Sequence, residues 1–245
     1  MQLRPGLYCH AAQRAVGRPE YMSKNIEILY EDNHVLVVVK PPNMLTQGDQ
    51  TGDEDLLTVL KEDLKLRYNK PGNVYLGLVH RLDRPVGGAM VFAKTSKAAS
   101  RLSDQIRRRE FGKSYLAVVY GVPEPMSGTL THYLDKDEKT NTVSIVKSSE
   151  EGKKAVLNYA VKDSKEGLSL VSVRLHTGRP HQIRVQLSAI GHPLYGDQKY
   201  GASLNKPGMQ LALWSAEMGF EHPTLKQYMS FVSQPPQAYP WNLFE

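Results

Sequence analysis

Residues 74–93 read VYLGLVHRLDRPVGGAMVFA, two apolar runs on either side of a charged segment. Val74–Val79 has the composition of a β-strand, and so does Ala89–Ala93 after the Gly87-Gly88 break. The tetrad His80-Arg81-Leu82-Asp83 is therefore expected where a strand ends. Upstream, Ile26–Val39 (IEILYEDNHVLVVV) holds two β-rich runs around the turn-forming Asp32-Asn33, and Lys40-Pro41-Pro42-Asn43 closes them, because proline cannot donate to a ladder. From Asp55 to Arg67, Leu56, Leu57, Leu60 and Leu64 recur at helical spacing, with Asp53 or Thr51 as cap. Ser96 is expected to cap a second helix with Ala98, Ala99, Leu102 and Ile106 on its inner face. Lys113–Gly121, Val156–Val161 and Leu168–Leu175 read as further strands. Thr177-Gly178-Arg179-Pro180 is expected to open a third helix that leaves at Gly191. Strands mixed irregularly with a few helices predict an α+β fold rather than a regular βαβ alternation.

The chain has 245 residues, of which 40% are apolar and 23% charged, a balance that argues against disorder, collagen-like repeat and coiled coil. No linker interrupts residues 22–245, so one domain is expected there. Residues 1–21 lack an apolar pattern and read as a leader; a vector remnant, a misassigned start ahead of Met22 and a flexible arm all fit their composition. The single cysteine, Cys9, excludes an intramolecular disulfide framework and suits a reducing cytoplasm. No run of about 18 apolar residues is present to span a bilayer.

The formal net charge is +6, a modest lean towards a polyanionic partner. Most of the excess lies in Lys94–Lys113, with seven Lys and Arg against Asp104 and Glu110. Lys94, Arg101, Arg107, Arg108 and Arg109 in that stretch are the candidate contacts to a phosphate backbone, although a solvated helix face has the same composition. Arg81 and Asp83 lie two apart and leave one face of an extended strand end. An isolated pair of this kind is ordinarily a weak surface ion pair; here Gly87-Gly88 allow close approach by a ligand. A carboxylate beside a guanidinium keeps its charge at neutral pH and can serve as nucleophile or base.

Between Thr177 and Tyr200, Ile183, Leu187 and Ile190 form a helical apolar face with Arg184 beside it, and Arg179 precedes it. Both arginines could equally be solvent charges. His176, His181 and His192 do not have the spacing of a metal site, and histidines of this kind are ordinarily structural. Tyr115 alternates with apolar neighbours, as a core tyrosine with its hydroxyl at an edge would.

Taken together, these segments resemble the RluA-type pseudouridine synthases, enzymes that isomerise uridine in ribosomal or transfer RNA. Val38-Val39-Lys40-Pro41-Pro42-Asn43 is similar to the family's strand ending in Lys-Pro-x-Gly, with Asn43 at the glycine. His80–Asp83 matches His-Arg-Leu-Asp, with Val86-Gly87 where Thr-Ser is usual before Gly88. Lys113-Ser114-Tyr115 matches Lys-x-Tyr. Thr177–Leu187, with Pro180 and Gln186 substituted, then Gly191-His192-Pro193 and Gly196-Asp197, matches the last motif. The resemblance runs in order over about residues 26–235.

It implies a mixed, mainly antiparallel sheet flanked by helices around a central RNA-binding cleft. It makes Asp83 the catalytic aspartate, Arg81 and Arg184 its neighbouring cations, and Tyr115 the residue against the target base, with Ile183 and Leu187 supporting the site and Arg179 joining the RNA contacts. It implies no cofactor, no metal and no obligate protein partner, only RNA. The reaction breaks the bond from ribose to uracil N1, turns the base and rejoins it through C5, which asks for one ionised carboxylate in a tight pocket. A catalytically silent RNA-binding or ribosome-assembly factor would keep the basic surface and could dispense with Asp83. A phosphotransferase fails on context, because the kinase-like His-Arg-Leu-Asp has neither a Gly-x-Gly-x-x-Gly loop nor Asp-Phe-Gly.

Overall fold

The computed structural model describes residues 26–245; the expected leader, 1–21, lies outside the described residues. The two N-terminal apolar runs form β1 (Ile28–Glu31) and β2 (Val35–Lys40). The turn between them is closed by Asp32, whose Oδ1 accepts from the backbone of His34 and Val35, both at 2.7 Å. Then come α1 (Leu56–Arg67), β3 (Gly77–Leu78), β4 (Gly87–Ala93), α2 (Ser96–Arg108) and β5 (Gly112–Tyr120). A polar hairpin follows, β6 (Ser127–Asp137) and β7 (Thr142–Val146), then β8 (Lys153–Lys165), β9 (Leu168–Leu175), α3 (Gln182–Ala189), β10 (Leu213–Glu221) and β11 (Tyr228–Val232).

All eleven strands join one sheet in the order β1-β2-β4-β10-β5-β9-β8-β6-β7, with β11 also on β10 and β3 also on β4. Every pairing is antiparallel except β4 with β10, the mixed α+β arrangement expected from the motif order. Strands β2 and β4 are largely apolar because both faces are covered. Leu36, Val38, Met90 and Phe92 pack with Leu56 and Leu60 of α1 and with Ile183 and Leu187 of α3. Their alternates Val35, Val37, Ala89 and Val91 face Ala98 and Leu102 of α2.

Several boundaries differ from expectation, each for a local reason. The cap of α1 is Asp55, which accepts from Thr58 N at 3.0 Å, and that of α2 is Thr95, which accepts from Ala98 N at 3.1 Å. The third helix begins at Gln182 rather than at Pro180, because His181 is left-handed, with φ 50°. The Val74–Val79 strand shrinks to Gly77–Leu78. One edge of β4 belongs to β2, and the other is divided between β10 at Gly87-Gly88 and β3 at Phe92-Ala93. Between these two short pairings the Val91 N–H donates to the His80 imidazole Nε2, 3.2 Å away.

Gly87 and Gly88 are thus the start of β4 rather than a break approached by a ligand. What approaches is β10. A Cβ on Gly87 would lie 2.2 Å from the Trp214 ring, and one on Gly88, at φ 114°, would lie 2.3 Å from the Ser215 carbonyl oxygen. The replacement of the usual Ser by Gly87 is therefore matched to the Trp214 ring across the strand pair.

Candidate active site

The segment carrying Asp83 is pinned from three sides. Lys40, at the end of β2, is fully buried, and its Nζ donates to the carbonyls of Pro41 (2.9 Å), Met44 (2.6 Å) and Arg84 (3.0 Å). Burial lowers its pKa to about 7, against the opposing pull of the Asp83 charge. Thr46 Oγ1 donates to the Leu82 carbonyl at 2.9 Å, and Gln210 Nε2 to the Pro85 carbonyl at 2.8 Å. A turn hydrogen bond from Val86 N–H to Asp83 C=O (3.0 Å) completes the frame. His80, just before, is enclosed beside Phe111; burial foremost, and the Lys113 charge, hold it far below the ordinary histidine range, so it is neutral.

The Asp83 carboxylate faces an open cleft of about 1190 Å³. Arg184 is buried on α3, and its Nε and Nη2 each donate to one oxygen of Asp197 at 2.8 Å, a two-pronged pair that fixes the guanidinium plane. Its remaining Nη1 is 3.5 Å from Asp83 Oδ2. The cation at Asp83 is therefore Arg184, 101 residues away, and not the adjacent Arg81, which is exposed on the cleft wall. Burial pushes the Asp197 carboxyl up, but the Arg184 hydrogen bonds and charge outweigh it and hold it below its ordinary value, helped by the N–H groups of Tyr200 and Lys199. His181 Nε2 lies 3.8 Å from the same Asp83 Oδ2.

Tyr115, on β5, is buried and lines the cleft. Burial and the Asp83 charge raise its pKa, so it stays a neutral phenol. Apolar Leu82, Val86, Ile183 and Leu213 complete the floor. Leu187, expected beside them, lies in the core under the sheet and does not line the cleft.

Of the expected phosphate contacts, Arg107, Arg109 and Arg179 line the cleft. Arg179 Nε donates to the Lys154 carbonyl at 3.0 Å, and Arg107 also pairs with Asp104. Arg108 is engaged by Asp104 (2.9 Å) and Glu110 (3.0 Å), and Arg101 donates to the Pro223 carbonyl at 2.6 Å. Lys94 does not reach the cleft, since it is turned into an ion pair with Glu31 at 2.7 Å. Two cations of the wall had not been singled out as RNA contacts: Arg174, at the end of β9, and Lys113, whose pKa burial lowers to about 8. Both were detectable, Lys113 from the Lys-x-Tyr segment and Arg174 from standing just ahead of Thr177. Among the described residues no group of three or more His, Cys, Asp and Glu side chains converges as a metal site would.

The sheet thus brings a carboxylate, a guanidinium and a phenol to one cleft. The family model described as RNA pseudouridylate synthase matches residues 34–189, a span that carries Lys40, Asp83, Tyr115 and Arg184. The chain belongs to the RNA pseudouridylate synthase family, in its RluA-type branch, and is an RNA pseudouridine synthase, an isomerase. It is 33% identical to the uncharacterized RNA pseudouridine synthase YlyB of Bacillus subtilis, over 87% of this chain and 70% of that protein. It is likewise 33% identical to the ribosomal large subunit pseudouridine synthase D of Zymomonas mobilis, over 86% and 70%. The human RNA pseudouridylate synthase domain containing 4 structure superposes with a TM-score of 0.71 at 25% identity, covering 86% of this chain and 89% of that one. The chain spans 59% to 73% of the length of the curated relatives it matches.

Proposed function

We propose that the chain isomerises a uridine of large-subunit ribosomal RNA, with Asp83 as the essential carboxylate. The observation that carries this is the asymmetry of the carboxylate. Oδ2 faces the Arg184 guanidinium and the His181 ring, whereas Oδ1 makes no hydrogen bond or ion pair with a described residue, and Asp83 lines the cleft. A carboxylate oxygen without a hydrogen-bond partner, in a cleft that sets Leu82, Val86, Ile183 and Leu213 beside a ring of cations, is suited to react with the ribose, either by attack on C1′ or by removal of a sugar proton. The base then turns against Tyr115 and rejoins through C5, and the C5 proton is lost, so no redox step is involved.

The ribosomal substrate is supported by relatives whose names carry that target. Arg81, Arg107, Arg109, Lys113, Arg174 and Arg179 would hold phosphates on either side of the extruded nucleotide, offsetting the few kcal/mol that unstacking requires. Such a substrate puts the protein in the cytoplasm. The test is release of tritium from C5 of labelled uridine in total RNA of a strain lacking the gene, followed by mapping of the modified position. Asp83→Asn, which keeps the size and removes the charge, is expected to abolish release while RNA affinity persists. Release by Asp83→Asn at the wild-type rate would refute the assignment, and a mapped site in transfer RNA would refute the ribosomal substrate.

A further inference from the structure

We propose that His181 is a positioning residue that holds Asp83 Oδ2 through a neutral imidazole whose Nε2–H is fixed by Tyr200 and Val143. This inference rests on the reading of Asp83 as the essential carboxylate.

The argument follows the protons. The Val143 backbone N–H donates to the Tyr200 hydroxyl oxygen at 2.8 Å, and that hydroxyl is 2.6 Å from His181 Nδ1. With the amide proton already directed at its oxygen, the hydroxyl has one acceptor in reach for its own proton, the Nδ1 lone pair. The ring proton therefore sits on Nε2, the atom 3.8 Å from Asp83 Oδ2. The opposite tautomer would leave the tyrosine proton without an acceptor among the described residues and would turn a nitrogen lone pair onto a carboxylate.

Tyr200 is itself immobilised. Its N–H donates to Asp197 at 3.1 Å, its carbonyl accepts from Ser188 Oγ at 2.6 Å, and the Arg184 guanidinium lies 5.1 Å over its ring. Asp197 thus sets both groups that face Asp83, Arg184 directly and His181 through Tyr200. The His181 backbone is left-handed, at φ 50°, a conformation that histidine shares with asparagine and aspartate more than other residues do, and the residue lines the cleft.

The charged groups around the ring are Asp83, Arg184, Lys199 and Asp197. Burial is the largest influence, the cations Arg184 and Lys199 act in the same direction, and the two carboxylates oppose them; the outcome is a pKa below the ordinary histidine value. A neutral donor orients the carboxylate without the second full positive charge that would blunt its reactivity.

Two measurements test this. Nitrogen-15 spectra of the histidine rings in the intact protein at pH 7 are expected to show His181 with Nδ1 unprotonated and Nε2 protonated, and Tyr200→Phe is expected to mix the tautomers. A ring protonated on Nδ1, or on both nitrogens, in the wild type would overturn the inference whatever the enzyme's activity. In the tritium assay, His181→Asn suits the left-handed backbone and can still accept from Tyr200, but it is too short to reach Asp83. It is expected to lower kcat several-fold, by the loss of an N–H dipole 3.8 Å from the carboxylate oxygen, with RNA affinity unchanged. His181→Gln, whose amide reaches the Nε2 position, is expected to recover part of that loss. Wild-type kcat in His181→Asn would overturn the proposal, because a purely conformational role is met by asparagine. An active Asp83→Asn in the same assay would instead remove the reading on which it rests.

Discussion

Two clusters of ionised side chains are built alike and used differently. In one, Arg184 is locked to Asp197 and turns a third nitrogen towards Asp83. In the other, at the opposite end of the sheet, Glu31 gathers Lys94 (2.7 Å), Arg67 (2.8 Å) and the Tyr68 hydroxyl (2.9 Å), while Arg67 also holds Asp63. The first cluster ties α3 to two loops and the second ties α1 to β1, and both hold a carboxylate below its ordinary pKa. At Glu31, burial pushes upward, and the hydrogen bonds from Lys94, Tyr68 and Arg67 outweigh it. The difference lies in what is left over: none of the Glu31 group lines the cleft, whereas the Arg184 group ends in an unsaturated carboxylate at its wall. Charge is functional here where a network is left incomplete, and structural where it closes on itself.

The largest expected effect comes from opening the first network. Asp197→Asn leaves a buried guanidinium with half its anchor and is expected to cost about 3 to 5 kcal/mol, as other broken buried pairs do, and to abolish turnover. Thermal or urea unfolding beside the tritium assay measures both, and an active, equally stable variant would break the comparison. The wild-type pH dependence follows from the same group. Because its folded pKa is depressed below 3.8, its stabilising contribution is present above that value and is lost as pH falls through the folded value, so Asp197→Asn should flatten the acid limb of stability below about pH 4.

A smaller effect is expected from Glu31→Gln, about 1 to 3 kcal/mol of stability for weakened charged hydrogen bonds, with kcat unaltered. A change in kcat would mean that the far cluster does reach the site. Smallest is the effect on RNA binding of the two cations that begin and nearly end the basic stretch. Arg107→Ala should reduce the slope of log affinity against log salt by about one, whereas Lys94→Met should leave it unchanged.

Lys94 also shows where sequence reading stopped. A local excess of Lys and Arg is visible in one dimension, but Glu31, which neutralises Lys94, lies 63 residues earlier. Of the two cations expected beside Asp83, the fold supplies Arg184, whereas Arg81, adjacent in sequence, is exposed. The apolar strands β2, β4, β5 and β9 were readable because burial on both faces leaves an uninterrupted run. The hairpin β6–β7 was not, since much of it is exposed and polar. Strand β10 was missed although it is central, because Ser215, Glu217 and Gly219 interrupt its pattern. Asp83, Tyr115 and Arg184 were legible through the resemblance to the family. His181 and Asp197 stood within the same quoted motifs and acquire their roles only through contacts with Tyr200 and Arg184.

The parallel pairing of β4 with β10 has a consequence in time. Gln210 reaches the Pro85 carbonyl across 125 residues, and Ser215 Oγ reaches the Ala89 carbonyl across 126, so the back of the Asp83 turn is closed by chain that lies far downstream of it. Contacts this distant in sequence carry a high loop-closure cost and come late in folding. On the ribosome, the helices and strands up to β9 emerge well before the piece that seats the turn. The turn that carries Asp83 is therefore seated only after residues 210–215 have emerged, so a nascent chain carries the basic stretch of α2 before that turn is closed.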